Sequence, residues 1–391
     1  MLIGIVTTLH NPFEFGRELG AGELVDREEE LAELERVLLE GGKHFLIGPR
    51  RYGKTSLLAA AAERAASRGA LVLRYNVEAF PALDLLVTRL ITDAAARLIG
   101  PVKKVAGAIG EFFANLRPSV SVSPADGTWT VGLGPVEGGR ALPLVAEALH
   151  GLERLAAAGK RPVALVLDEF QLLVERDGVA AEAQVRAAIQ QHRHVGYLFA
   201  GSNARLLAAM TGEADRPFYR LGTRRFLGPV PRAPFGEFLG RGLAAVATVT
   251  DEGVSTILDA AEDVPYNVQL LAHACWERAR DEAGALLDTA FVRETHRRAA
   301  ARMDPLYSHL WISLTVPQQK ALLAVIETGG TGLTSAAVTG RYGVPVPTMQ
   351  TAVDALEDKG ILRTEAAEGK SHLRVEDPLF AAWVRGTVAS P

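Results

Sequence analysis

The 391-residue chain has one cysteine, Cys275, and only eight lysines among its 42 basic residues. A lone thiol excludes an intrachain disulfide, and Cys275 lies in the apolar-periodic run Val268–Trp276, where a small buried hydrophobe is expected. That usage suits a reducing compartment. No stretch approaches the ~18 consecutive apolar residues needed to cross a bilayer. The opening Met1-Leu-Ile-Gly-Ile-Val-Thr-Thr8 has neither a basic start nor a small-residue cleavage site. A soluble, cytoplasmic protein with no membrane partner is expected. Excess charge of one sign is also missing: the net charge is −4, so a nucleic acid would have to be met by a local basic patch. His192 and His194 lie two apart with no carboxylate or cysteine at metal-site spacing, and both are expected at the surface.

What the chain does contain is bulk and one sharp motif. Its length allows two or three domains, and 48% hydrophobic with 23% charged residues is the balance of a globular protein. The stretch Phe45-Leu-Ile-Gly-Pro-Arg-Arg-Tyr-Gly-Lys-Thr-Ser56 fits the phosphate-binding pattern Gly-x4-Gly-Lys-Thr. Phe45, Leu46 and Ile47 read as a buried parallel strand before it, and Leu57, Leu58 and the following alanines as a helix after it, which is the context the motif requires. The loop itself comprises Gly48, Pro49, Arg50, Arg51, Tyr52, Gly53, Lys54, Thr55 and Ser56. Glycines let successive backbone N–H groups turn toward a polyphosphate, and the helix amino end adds positive partial charge. Lys54 is expected at the β and γ phosphates of ATP and Thr55 on a Mg²⁺ ion. A chain that otherwise favours arginine thus places at position 54 the compact point charge this loop needs.

Ahead of the loop, Asp26 with Glu29 three residues on reads as the capped start of a helix whose apolar stripe is Leu31, Leu34, Val37 and Leu38. Beyond it, Ala70–Val77 reads as a buried strand, followed by helical stretches over 81–100 and 102–116. Ser119–Ser123 and Thr128–Val131 flank Pro124-Ala-Asp-Gly127 as a β-hairpin within 117–139, either a surface insertion or an element that meets a partner. A helix over 141–158 leads to Arg161-Pro-Val-Ala-Leu-Val-Leu-Asp-Glu-Phe-Gln171, a central strand whose carboxyl end delivers two acids. Asp168 there can hold Mg²⁺, and Glu169 can polarise an attacking water. The buried strand Val195–Gly201 ends in Ser202 and Asn203, small polar groups able to touch a γ-phosphate or to position water, or else to form a turn. Arg216, Arg220, Arg224 and Arg225 precede a strand expected over Phe226–Val230; each is either a finger for a neighbouring subunit's nucleotide or solvated charge.

From Pro231 the pattern is helical, over about 234–246, 251–261, 266–283 and 287–303. Thr315–Ile326, Ser335–Thr339 and Pro347–Lys359 then read as three helices, and Ile361–Arg363 with His372–Val375 as a two-stranded ribbon, which is a winged helix-turn-helix order. The recognition-helix candidate, Pro347–Lys359, sets Asp354, Glu357 and Asp358 against Lys359 alone. From Thr315 to Pro391 seven basic residues face eight acidic ones, a net charge of −1. Arg363, Lys370, His372 and Arg374 gather on the predicted wing, and Thr348 and Gln350 can meet base edges, so DNA stays open as a partner. A protein partner, or packing against the core, is the favoured expectation. The closing Asp377–Val384 reads as an amphipathic helix that packs back on the body.

In this combined order the chain resembles the archaeal-type ATPase family, a branch of the AAA-like and STAND P-loop ATPases. The resemblance rests on Val25-Asp-Arg-Glu28 with Glu30-Leu31, Gly48–Ser56, Leu167-Asp-Glu-Phe-Gln171, Gly201-Ser202, Val264-Pro-Tyr266 and Asp377-Pro-Leu-Phe380. It implies an α/β fold: an ASCE, AAA-like P-loop core with a parallel sheet over 1–230 that carries the hairpin near 117–139, a helical lid over 231–303 and a C-terminal winged-helix domain over 304–391. It also implies adenine held near Val25, Asp26, Arg27 and Pro265, with Asp168 as metal ligand and Glu169 as water activator. One departure stands out, since Val264-Pro-Tyr266 carries no arginine where better-known AAA proteins place a second sensor. The expected activity is slow ATP hydrolysis resetting a molecular switch, with a protein partner met through the winged helix or the hairpin. The alternative is an ATP-sensing DNA-binding regulator. A small-molecule kinase is disfavoured, because lid and winged helix offer no evident acceptor site.

Overall fold

A computed structural model describes residues 10–99, 111, 113, 116, 119–122, 129–132, 142–159, 161–367 and 370–388. Apart from three positions, the helix expected over 102–116 lies outside them, as does the turn of the hairpin. The chain divides into two compact units, Arg17–Pro229 and the segment before Arg17 together with Val230 onward.

In the first unit the order is α1 (Glu28–Glu40), β1 (Lys43–Ile47), α2 (Lys54–Ser67), β2 (Leu71–Asn76), α3 (Leu83–Ile99), β3 (Ser119–Val122), β4 (Trp129–Gly132), α4 (Leu142–Ala158), β5 (Val163–Asp168), α5 (Gln171–Ile189), β6 (Val195–Gly201), α6 (Ala204–Gly212) and β7 (Thr223–Phe226). Five strands form one parallel sheet in the order β2-β5-β6-β1-β7. β5 and β6 are buried at every position because helices cover both faces of the central strands, whereas the edge strand β2 alternates. Phe45, Phe170, Phe199 and Phe218 meet on one face, with ring centroids 4.5–6.1 Å apart. The hairpin strands β3 and β4 pair antiparallel from Ser119–Gly132 to Val122–Trp129.

Three local expectations are corrected. Asp26 does not cap α1: its φ is 52°, outside the extended range a cap needs, and the helix opens at Glu28 behind Arg27 with no side-chain cap bond. Glu28, Glu29 and Glu30 in the first turn complement the helix dipole instead. The last strand of the sheet runs over Thr223–Phe226 rather than Phe226–Val230. Leu227 N still donates to Ile47 O at 2.7 Å, and Pro229, lacking an N–H, cannot extend the ladder. His192 is buried, not at the surface: its ring lies 2.7 Å from the Tyr197 hydroxyl and 3.0 Å from His150 Nδ1.

In the second unit come α7 (Arg232–Leu243), β8 (Thr248–Val249), α8 (Asp251–Ala260), α9 (Pro265–Asp281), β9 (Leu286–Leu287), α10 (Thr289–Arg302), α11 (Asp304–Ile312), α12 (Val316–Thr328), α13 (Ala336–Tyr342), α14 (Val346–Asp358), β10 (Leu362–Ala367), β11 (Lys370–Val375) and α15 (Pro378–Thr387). Thr250 caps α8, Asp288 caps α10 and Ser335 caps α13, while Thr315 and Gln318 form a capping box on α12. α12, α14 and α15 surround a core of Leu322, Val325, Met349, Leu356 and Phe380, and β10 pairs antiparallel with β11. α15 packs against α10 and α11, where Trp383 Nε1 donates to Asp304 at 2.8 Å and the Tyr307 hydroxyl to Asp377 at 3.0 Å. Before α1 the chain is pinned to α9, with Asn11 Nδ2 donating to His273 O and Glu277, and Phe13 buried against Phe238. Among the described residues no helix is long and apolar enough to cross a membrane.

Candidate functional site

The carboxyl ends of parallel strands open onto one edge of a sheet, where open α/β folds place ligands. Five candidate groups stand there. The loop after β1 turns into α2 through Gly53, whose φ of 84° a side chain would rarely adopt, and Arg51 before it also has positive φ. Lys54 opens the helix, is only 5% exposed, and donates from Nζ to Pro49 O at 2.7 Å, across the mouth of the loop. Thr55 Oγ1 donates to Asp168 Oδ2 at 2.8 Å, so the end of β5 reaches the loop although β6 lies between β5 and β1 in the sheet. Ser56 faces the other way, its Oγ accepting from Leu19 N at 3.0 Å. Tyr52 is buried beneath the loop, Pro49 is half-buried, and Arg50 and Arg51 are exposed.

The two acids are set apart by their surroundings. Burial and the neighbouring Glu169 charge raise the Asp168 carboxyl above its ordinary value, against the Thr55 bond and Lys54. Burial acts on Glu169 too, but hydrogen bonds from Gln171 and Ser202 and the Lys54 charge outweigh it and hold that carboxyl below its ordinary value. Glu169 Oε2 accepts from Gln171 Nε2 at 2.6 Å, Ser202 Oγ at 2.8 Å and Ser202 N at 3.3 Å. The residues fit a magnesium ion: a hydroxyl and a buried carboxylate already within 2.8 Å are hard oxygen donors, and the desolvated charge on Asp168 is what a divalent cation would offset.

Other predicted residues lie elsewhere or are otherwise engaged. Asn203 Oδ1 accepts from Leu206 N at 3.0 Å, capping α6, and its amide donates to Glu175 at 3.0 Å. Val25 is half-buried and Asp26 exposed. Arg27 is buried and ties α1 to the segment after β7, donating to Glu30 at 3.0 Å and to Gly228 O at 2.6 Å. Pro265 is the first residue of α9 in the second unit, after Glu262 and Asp263, both with positive φ. Of the four finger candidates, Arg216 pairs with buried Glu182 and Arg225 with Glu29 and Glu33, whereas Arg220 and Arg224 are exposed. Sequence reasoning gave Gln171 no role, although a polar residue opening a helix between buried Phe170 and Leu173 was a visible signal.

Neither a known protein family nor a curated protein matches the chain by sequence. Among solved structures it is similar to the Walker-type ATPase PABY2304 of Pyrococcus abyssi, with a TM-score of 0.58 at 19% identity over 96% of this chain and 99% of that one. The ORC2 protein of Aeropyrum pernix in its ADPNP–ADP complexes gives a TM-score of 0.51 at 14% identity, over 98% of this chain and 99% of that one. The ADP form of the same protein gives 0.50 at 15% identity, over 96% and 98%. With the parallel sheet and the loop geometry, these likenesses show the fold: an α/β core with a five-stranded parallel sheet, followed by a largely helical unit that carries the β10–β11 ribbon, as in those P-loop proteins.

Proposed function

We propose that the chain binds ATP with Mg²⁺ and hydrolyses it slowly, as a molecular switch whose nucleotide state is passed to the winged helix. The observation that carries this reading is the meeting of Thr55 with Asp168 at 2.8 Å beside buried Lys54. In it, the backbone amides from Gly48 to Ser56 and Lys54 hold the phosphates, and Thr55 with Asp168 holds the metal. Bound magnesium would neutralise phosphate charge during transfer. Glu169 takes a proton from the attacking water, oriented by Ser202. Val25, Asp26, Arg27 and Pro265 are assigned to the adenine, and Asn203 to support of the site through α6. The ADPNP and ADP bound by the Aeropyrum pernix ORC2 protein support a nucleotide ligand.

A lid over 231–303, a winged-helix domain over 304–391 and a cytoplasmic setting belong to the same proposal. The last fits Cys275, whose thiol burial pushes up to about 12 and so keeps unreactive. For the winged helix a protein partner is favoured over DNA, because Arg363 on the ribbon is spent inside the unit: it donates to Val375 O at 3.0 Å and pairs with Glu262 at 3.3 Å.

The test is calorimetric titration with ATP and Mg²⁺ alongside turnover. Lys54→Ala should abolish tight ATP binding, whereas Glu169→Gln should keep it and slow hydrolysis by roughly 10²-fold, the usual contribution of a positioned base. Unchanged ATP affinity in Lys54→Ala would remove the loop from the site.

A further inference from the structure

We propose that Gln171 is a positioning residue for ATP hydrolysis, clasping Glu169 together with Ser202 so that one carboxylate oxygen is saturated and the other is left for water; this rests on the reading of the P-loop site above. Glu169 Oε2 receives three donors, two from Ser202 and one from Gln171, which fills the lone-pair sites of a single oxygen. Oε1 takes no hydrogen bond from the described residues. The carboxylate is therefore fixed at one end from two elements, the first turn of α5 and the segment after β6.

Three features show that the amide is there for this bond and not for packing. Gln171 is only 3% exposed, and its Oε1 is buried with no partner. An apolar side chain of the same length would fill that place without leaving a polar atom unsatisfied. The reverse amide orientation would set Oε1 against the carboxylate, so the donor must face Glu169. β6 also makes room for it: a Cβ at Gly201 would stand 1.8 Å from Gln171 Oε1 and 2.9 Å from Leu207 Cδ1, so only glycine admits the amide as placed. Glu169 itself has φ of 52°, a left-handed conformation held by Phe170 N donating to Ala200 O at 2.8 Å and Leu172 N to Glu169 O at 3.0 Å. Backbone and clasp together aim one side chain.

The experiment compares Gln171→Leu, Ser202→Ala, Glu169→Gln and the double variant Gln171→Leu/Glu169→Gln. Gln171→Leu should lower kcat on the order of 10- to 100-fold, as loss of orientation does, while ATP affinity by calorimetry stays within about twofold. Combined with Glu169→Gln it should add no further loss, because it acts through that carboxylate. In the nucleotide-free protein the Ser202 amide resonance should move in Gln171→Leu as it does in Glu169→Gln. Ser202→Ala should lower kcat through the same oxygen, and if Gln171→Leu does not fold, Gln171→Met, which keeps the length of the side chain without a donor, takes its place and should show the same fall in kcat. Additive losses, an ATP affinity that falls in step with kcat, or an unmoved Ser202 amide would make Gln171 merely structural and overturn the proposal. Turnover indifferent to Glu169→Gln would refute the site reading itself, whereas Glu169-dependent turnover indifferent to Gln171→Leu would refute the clasp alone.

Discussion

Mild acid should destabilise the α/β unit in part through His192. The imidazole lies just ahead of β6, 2.7 Å from the Tyr197 hydroxyl and 3.0 Å from His150 Nδ1, and Lys43 Nζ donates to its carbonyl at 2.9 Å. Burial pushes its pKa down to about 4; the Glu153 charge opposes this, and His150, Lys43 and Arg154 add to it. Between the unfolded value of 6.5 and about 4 the unfolded chain therefore binds the proton that the folded one refuses. The contribution is complete above pH 6.5, is lost as pH falls toward 4, and amounts to about 3 kcal/mol at most over that window. Urea unfolding followed by circular dichroism from pH 7.5 to 4.5 measures it, with His192→Gln as the reference because glutamine keeps a hydrogen-bonding group beside Tyr197 without titrating. Wild type should lose stability faster than the variant, with a difference in slope of up to about 1.4 kcal/mol per pH unit. Carboxylates titrate in both proteins and largely cancel. Parallel curves between pH 6.5 and 4.5 would refute the reasoning.

Asp168→Ala should weaken nucleotide binding in the presence of Mg²⁺ far more than in EDTA, since it removes the carboxylate beside Thr55; an equal loss in both titrations would take Asp168 off the metal. Arg363→Ala should destabilise the second unit by about 2–3 kcal/mol, because it strands Glu262, removes a charge from beside Glu376 and empties a bond to Val375 O, and a thermal midpoint within error of wild type would contradict that. Duplex DNA should show no sub-micromolar binding at near-physiological salt by fluorescence anisotropy, with or without ATP. Tight binding lost on changing Arg363, Lys370 and Arg374 to alanine would reinstate the regulator reading.

What could be read from the residues was what depends on near neighbours. The phosphate loop and the Asp168-Glu169 pair each follow a buried strand, so their identity survives without knowing the sheet order. Their meeting required that order, since β6 intervenes between β1 and β5. Asp26 misled because its surroundings impose left-handed backbone, overriding its capping preference while Arg27 is drawn to Gly228 O. His192 misled for a related reason: one of its partners, His150, lies 42 residues away and is brought close by α4 packing near β6. The helix α5 escaped notice because Glu175-Arg-Asp-Gly-Val179 interrupts the apolar period, and at Gly178 the backbone leaves helical angles inside it. α11 was hidden by Pro305, which sits in its first turn, where a proline is tolerated.

The ribbon is anchored at the turn that opens α9. Glu262 and Asp263, consecutive residues with φ of 53° and 56°, form the turn into Val264 and the first helical residue Pro265, the place the resemblance assigns to adenine. Glu262 holds Arg363 of β10 at 3.3 Å, and Asp263 holds Arg232 at the start of α7 at 2.8 Å. Left-handed backbone at two non-glycine residues persists only where neighbours over-determine it, and these two ion pairs supply that constraint. The border expected between 303 and 304 is bridged as well, by α15 packing against α10. The helices α7 to α10 and the segment from α11 onward are therefore tied at two separate places within one compact unit, and in the proposed switch a displacement at Pro265 would reach the ribbon through paired charges. Such a linkage needs Arg363 as a strut, and an arginine used as a strut is not available to neutralise a phosphate on DNA.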